Sequence, residues 1–397
     1  MFKMHVFTSI TVNYIPKARV LAGSVKKFHP DAEFLLVLSD RVPDWFDIEN
    51  EPFDSVLTAD QLGIPDFRPW AFKHAVVELC TAVKGFSVQH LFRDRKAEHV
   101  FYLDPDIVLF SPLDSLLKRF EDEATSILLT PHQTSPEKDR RAIMDNEICS
   151  LKHGVFNLGF LGVKNSPEGL SFTDWWAERL RDFCFDDIAG GLFTDQRWVD
   201  LAPCFFDEVC VVRESNYNVA TWNLTHRKAT GSLEEGVLIN GKPLCFYHFS
   251  GFDCGAQEAM LNIYGKHSPV LRDLREWYMD ECRQMGQDEI GNQASAFDFF
   301  DNGEKITRTH RILYRSREDL QQTFRDPFST SDVNKSYYHW FAANVRGAEA
   351  EDMDTDISTI ESLRANYLAA RNELDAIKGS RFWRIATFFG NARRLFA

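Results

Sequence analysis

His99-Val100-Phe101-Tyr102-Leu103-Asp104-Pro105-Asp106-Ile107-Val108-Leu109-Phe110 sets two acids on a tight turn between two apolar runs. The first run, rich in β-branched and aromatic residues, reads as a buried strand that delivers both carboxylates to its carboxyl end. Two carboxylates one residue apart supply hard oxygen ligands to one side of Mg or Mn and leave the other side for substrate phosphates. Aspartate is common in surface turns, so the Asp-x-Asp spacing alone says little. The strand in front of it marks Asp104 and Asp106 as candidate metal ligands. A divalent cation held there neutralises a diphosphate as it departs, the electrostatic work that sugar transfer from a nucleotide sugar requires.

Upstream, short apolar runs alternate with helical patterns: strands over 5–10, 33–39 and 99–103, helices over 15–28 and 72–92. Strands separated by helices predict an α/β fold with a mostly parallel central sheet, in which ligands gather at the carboxyl ends of the strands. Downstream, 126–130 and 159–163 read as further buried strands. Residues 171–183 read as an amphipathic helix whose Trp175 and Trp176 belong to the core rather than to a sugar platform.

Composition narrows the class. With 44% hydrophobic residues and 34 phenylalanines among 397 residues, the chain is expected to fold. A formal net charge of -14 argues against nucleic-acid partners, since non-specific binding to phosphates needs a basic surface. The eight cysteines (Cys80, Cys149, Cys184, Cys204, Cys210, Cys245, Cys254, Cys282) show no Cys-x-x-Cys pair, so reduced thiols in a cytoplasmic protein are expected. The N-terminal residues read as a first strand rather than a leader, and no run reaches the ~18 apolar residues of a membrane span.

After Phe252 the apolar alternation fades and helical patterns, 270–282 and 317–324 among them, take over. The expected division is a catalytic domain over 1–255, a helical extension over 256–346, and a terminal region over 347–397. That last region combines an acidic linker (Glu349, Glu351, Asp352, Asp354, Asp356), a short heptad helix with apolar positions from Ile360 to Ile377, and a basic amphipathic tail. The tail interleaves Arg381, Arg384, Arg393 and Arg394 with Phe382, Ile385, Phe389 and Phe396, a pattern suited to an anionic membrane surface.

The order of several segments resembles the GT-A glycosyltransferases of family 8, of the bacterial lipopolysaccharide and lipooligosaccharide type, over roughly the first 255 residues. Asn13-Tyr14, with Ala22 to Val25 and His29-Pro30, resembles the opening strand-loop-helix, and the resemblance implies that Thr11, Asn13 and Tyr14 line the nucleotide. Lys84 lies on the helix before the metal motif, from which a basic residue reaches the donor. Phe156-Asn157-Leu158-Gly159 is similar to the strand whose Asn contacts the transferred sugar, and an Asn inside an apolar run needs a hydrogen-bonding task in any case. Thr194-Asp195-Gln196 resembles the Asp-Gln pair at the reacting carbon. Cys245-Phe246-Tyr247-His248-Phe249-Ser250-Gly251 resembles the segment whose His is a third metal ligand.

The resemblance therefore implies a GT-A, Rossmann-like fold with a C-terminal helical extension. It implies Mn or Mg held by Asp104, Asp106 and His248, donor contacts from Thr11, Asn13, Tyr14, Lys84, Asp104 and Asn157, and catalytic roles for Asp195 and Gln196. One departure stands out: the family continues from that Gly into Lys-Pro-Trp, whose Lys grips the diphosphate, whereas this chain has Phe252-Asp253-Cys254-Gly255. Lys266, Arg227 and Lys228 are candidate substitutes. Asn216 to Leu224 combines aromatics and amides in the way carbohydrate is read, or is a packed strand with polar outer positions.

The expected activity is metal-dependent transfer of a hexose from a nucleotide-diphosphate sugar, UDP-sugar favoured, to a glycan or lipid-linked acceptor, with retention of configuration. An inverting enzyme would need a carboxylate base, for which Asp195 is the candidate. Work at the cytoplasmic face of a membrane is expected from the tail. Two other readings remain at this stage: a haloacid-dehalogenase-like phosphatase with Asp104 as nucleophile, and a non-catalytic glycan-binding protein on a transferase-like fold.

Overall fold

The computed structural model describes residues 4–345. The acidic linker, heptad helix and basic tail expected over 347–397 lie outside the described residues. The described residues divide into two compact units, one up to Phe299 and one from Phe300 on. No helix among the described residues is long and apolar enough to cross a membrane.

The first unit is built on the expected mixed α/β layers around a seven-stranded sheet. Its strands are β1 (Met4–Ile10), β2 (Glu33–Leu38), β3 (Ser55–Thr58), β4 (His99–Leu103), β6 (Ile127–Pro131), β7 (Phe156–Lys164) and β8 (Val209–Val211), in the spatial order β8-β6-β7-β4-β1-β2-β3. β1 and β4 are buried along their whole length, the near-continuous apolar runs that a sheet covered on both faces requires. β7 alone runs against its neighbours, pairing antiparallel with β4 and with β6. Two further strands, β5 (Ile107–Leu109) and β9 (Phe246–His248), form a separate antiparallel pair. Helix α1 (Ile15–Phe28) opens with Pro16 in its first turn and buries Ile15, Ala18, Leu21, Ala22 and Val25 against the sheet.

The helical pattern over 72–92 is not one helix. It breaks into Phe67–Phe72, Val76–Ala82 and α2 (Lys84–Arg93). The backbone N–H of Ala75 donates to the Glu78 carboxylate (2.7 Å), which starts a new helix at Val76. α2 packs closely on α3 (Pro167–Phe183): a Cβ added at Gly85 would lie 2.7 Å from the Ala177 Cα. Trp176, on α3, is fully buried, in keeping with its reading as core.

Residues 256–299, read from the sequence as the start of a helical extension, pack within the first unit. Helix α4 (Val270–Gln284) contributes Val270, Leu271, Leu274, Tyr278 and Cys282 to a core shared with Tyr247 and Phe249. Tyr278 stacks on Phe249 at 4.0 Å, so this helix backs β9 directly. In the second unit Tyr314, Phe324, Tyr337 and Phe341 form an aromatic cluster, tied by the Tyr314 hydroxyl donating to the Phe324 carbonyl (2.8 Å). All eight cysteines are unpaired.

Candidate active site

Strand direction gathers the polar residues at one edge. β1 and β4 are parallel neighbours (Met4 opposite His99, Phe7 opposite Tyr102), so Thr11 to Tyr14 leave β1 at the edge where Asp104 and Asp106 leave β4. β7 runs the other way (Leu103 opposite Phe160), which brings its first residues, not its last, to that edge. Asp104 N–H donates to the Gly159 carbonyl (2.8 Å) and locks the register. β9 pairs with β5 (His248 opposite Ile107), and Phe249 N–H donates to the Asp106 carbonyl (2.8 Å). Two residues far apart in sequence are thereby fixed beside the same turn.

Asp104, Asp106 and His248 each turn one ligand atom inward, and these atoms all lie within 4.8 Å of one another. The His248 Nε2 is 3.0 Å from Asp106 Oδ1 and 3.6 Å from Asp104 Oδ2. Two carboxylate oxygens and one imidazole nitrogen on one side of a point fit a divalent ion such as Mn or Mg, with positions left open opposite. Gly159 makes room for this convergence, since a Cβ there would sit 2.5 Å from His248 Cε1.

A hydrogen-bond chain sets the tautomer of His248. Asn157 Oδ1 accepts from Asn218 Nδ2 (2.9 Å) and from Gly159 N–H (3.2 Å), so the amide oxygen, not the nitrogen, faces His248. An amide oxygen only accepts, hence His248 Nδ1 carries the proton that it donates to Asn157 (3.2 Å), which leaves Nε2 facing the carboxylates, as an N–H towards Asp106 without an ion and as a lone pair for an ion that takes the proton's place. On the other side, Asn157 Nδ2 lies 3.2 Å from His132 Nε2, an acceptor, while His132 Nδ1 faces the Val155 carbonyl. Burial pushes the His132 imidazole down to about 4, which keeps that acceptor unprotonated.

Cations flank the carboxylates. Lys84 Nζ lies 2.9 Å from Asp195 Oδ2 and 3.6 Å from Asp104 Oδ1, donates to the Leu158 carbonyl (3.2 Å) and sits over the Tyr102 ring. Burial disfavours its charge, but Asp195 and then Asp104 outweigh burial and hold its pKa above the ordinary lysine value. Burial raises the Asp195 carboxyl in spite of Lys84. The Asp106 carboxyl also suffers burial, yet His248 first and Lys17 next keep it below the usual carboxylate range.

No family model matches the chain. Two proteins of Bacillus subtilis (strain 168), both uncharacterized, align with it: YfnF, 29% identical over 207 residues, and YfnD, 27% identical over 299 residues. The alignments span 51% of this chain and 66% of YfnF, and 71% of this chain and 92% of YfnD. Solved structures similar to this one include glycosyltransferases. The galactosyltransferase LgtC, in complex with donor and acceptor sugar analogues, is 15% identical, with 71% of this chain and 96% of that one covered and a TM-score of 0.39. The glycosyltransferase GlyE of Streptococcus pneumoniae TIGR4 is 16% identical, with 76% and 67% covered and a TM-score of 0.39.

Of the residues singled out by sequence, Asp104, Asp106, His248, Asn157, Lys84 and Asp195 come together at this edge, linked by the contacts above. Gln196 Oε1 accepts from Leu158 N–H (2.9 Å) and its Nε2 donates to the His153 carbonyl (3.0 Å), so its amide is occupied in bracing β7. Thr11 Oγ1 donates to Asn13 Oδ1 (2.6 Å) in the turn that leads to Tyr14. His29 Nε2 accepts from Leu113 N–H (2.8 Å).

The stretch 216–224 is not a packed strand: Asn218 adopts a left-handed backbone (φ 47) and Thr221–His226 form a short 3-10 helix. Its Trp222 ring meets His248 edge to face at 5.2 Å. Of the candidate substitutes for the missing lysine, Arg227 is buried and donates to the carbonyls of Tyr217 and Asn218, while Lys228 and Lys266 are exposed. Sequence reading missed Tyr102, whose hydroxyl donates to Asp104 Oδ1 (2.5 Å), and His132. Tyr102 was hidden in a run read only as apolar. His132 follows a strand end with no motif around it.

Proposed function

We propose that the chain is a metal-dependent glycosyltransferase that moves a hexose from a nucleotide-diphosphate sugar to a glycan or lipid-linked hydroxyl. The convergence of Asp104, Asp106 and His248 at the carboxyl edge of the sheet, beside a lysine held in its charged form, carries this reading. It is the arrangement that a departing diphosphate needs, and the order of segments resembling family 8 adds the sugar. When bound, the divalent ion offsets the charge that develops on the leaving phosphate.

Lys84 adds a fixed positive charge on the Asp195 side. Asn157 orients His248 and stands beside the place of the transferred sugar. Thr11, Asn13 and Tyr14 line the nucleotide. Transfer breaks the anomeric C–O bond to the diphosphate and forms one to the acceptor oxygen, and the acceptor proton passes to the leaving phosphate oxygen. Both oxygens of Asp195 are engaged, Oδ2 by Lys84 and Oδ1 by the Thr194 hydroxyl (3.0 Å), which suits a group that orients hydroxyls better than one that collects a proton. That favours retention over inversion.

A thermal-shift screen of UDP-, GDP-, ADP-, CDP- and TDP-sugars with and without Mn tests the assignment, because a true donor stabilises the folded state by mass action. One donor is expected to raise the midpoint only when Mn is present. No shift with any of them would sink the assignment.

A further inference from the structure

Lys17, in the first turn of α1, is a buried ammonium whose part in the site as described is only its field on Asp106. Its side chain is 3% exposed, and its Nζ lies 2.7 Å from Asp253 Oδ2, 3.4 Å from the centroid of the Tyr14 ring and 5.0 Å from that of Phe252. A charge that far from water needs a standing anion. Its anion is peculiar, because the Asp253 side chain is 43% exposed and sits on a turn flanked by Gly251 and Gly255, both in the left-handed region (φ 72 and 79). The lysine is confined and the carboxylate is free to swing into solvent. The same turn begins at Phe249, whose N–H is bonded to the Asp106 carbonyl, so the pair lies next to the metal turn, and Tyr14 ties it to the nucleotide edge. Lys17 and Lys84 thus approach the acidic turn from different elements.

We propose that Lys17 grips the diphosphate of the donor, and that Asp253 is a placeholder anion which the diphosphate displaces. This rests on the nucleotide-sugar reading above. An anion exchanged in this way leaves the ammonium charged and buried throughout, so binding carries no fresh cost for desolvating it.

The test is calorimetric titration, with Mn, of the nucleoside diphosphate that binds best among UDP, GDP, ADP, CDP and TDP, and of its parent nucleoside, into the whole chain. Lys17→Met is expected to weaken the diphosphate by roughly tenfold to a hundredfold, the range for a lost hydrogen bond to a charged group, with the nucleoside unchanged. Lys17→Arg is expected to keep most of the affinity. Asp253→Asn, at a half-exposed position that does not threaten folding, is expected to tighten the diphosphate several-fold. Equal diphosphate-to-nucleoside ratios in the parent and Lys17→Met, or weakening by Asp253→Asn, would show a merely structural ion pair and overturn the proposal while leaving the transferase reading intact. Failure of the parent to bind any nucleoside diphosphate overturns both.

Discussion

The Asn157 amide is the hinge of the site at the scale of single residues, because it decides which nitrogen His248 presents. Asn157→Ala removes the acceptor for the Nδ1 proton while leaving every ligand atom in place. Outer partners of metal-bound histidines are typically worth ~10–100-fold in metal affinity. A loss of that size is expected for Mn, read by the free-ion electron paramagnetic resonance signal, with circular dichroism unchanged; wild-type affinity would refute the tautomer assignment.

His132 gives a second expectation. Its pKa falls from 6.5 to about 4 on folding because it is buried, so the unfolded chain takes up the proton first as pH drops. Its contribution is complete above about 6.5 and is lost as pH falls towards 4. His132→Gln, which keeps an acceptor without titrating, should flatten the dependence of the melting midpoint between pH 7 and pH 5. An identical slope in the variant would contradict this. Asp104, Asp106 and His248 were legible because each borders an apolar run, whereas Tyr102 lies inside one and His132 acts through Asn157, which only the antiparallel β7 brings near it.

At the scale of elements, periodicity located the strands and α1 well, since buried parallel strands and an amphipathic helix leave strong patterns. It failed over 72–92, where apolar spacing continues through a break made by one carboxylate, that of Glu78. It also assigned the helix over 270–282 to an extension, because an amphipathic helix looks the same whether it packs on its own unit or another. Tyr278 on Phe249 shows that this helix supports the strand carrying His248.

The α2–α3 contact is equally invisible in sequence, and it fixes Lys84 through its neighbour Gly85. Gly85→Ala places a methyl against the Ala177 backbone, and overpacking of this kind costs about 1–3 kcal/mol despite the better helix propensity of alanine. Urea unfolding should show a lower midpoint with an unchanged slope. A midpoint equal to or above wild type would mean that the two helices can part at no cost.

For the whole molecule, we propose from the formal net charge of -14 and the basic, aromatic-rich sequence over 381–397 a peripheral enzyme that works on a lipid-linked acceptor. Deleting 381–397 is expected to release the protein from anionic vesicles and to spare donor hydrolysis; retention on vesicles after deletion would remove the membrane from the picture. The central claim concerns the metal and the donor together. Its most direct measurement is calorimetric titration of the cognate nucleotide sugar, with Mn and with the ion chelated, into wild type, Asp106→Ala and His248→Ala. The triad predicts donor binding by wild type that collapses on chelation and in both variants. Equal donor affinity with and without Mn, or in variants lacking either ligand, would contradict it.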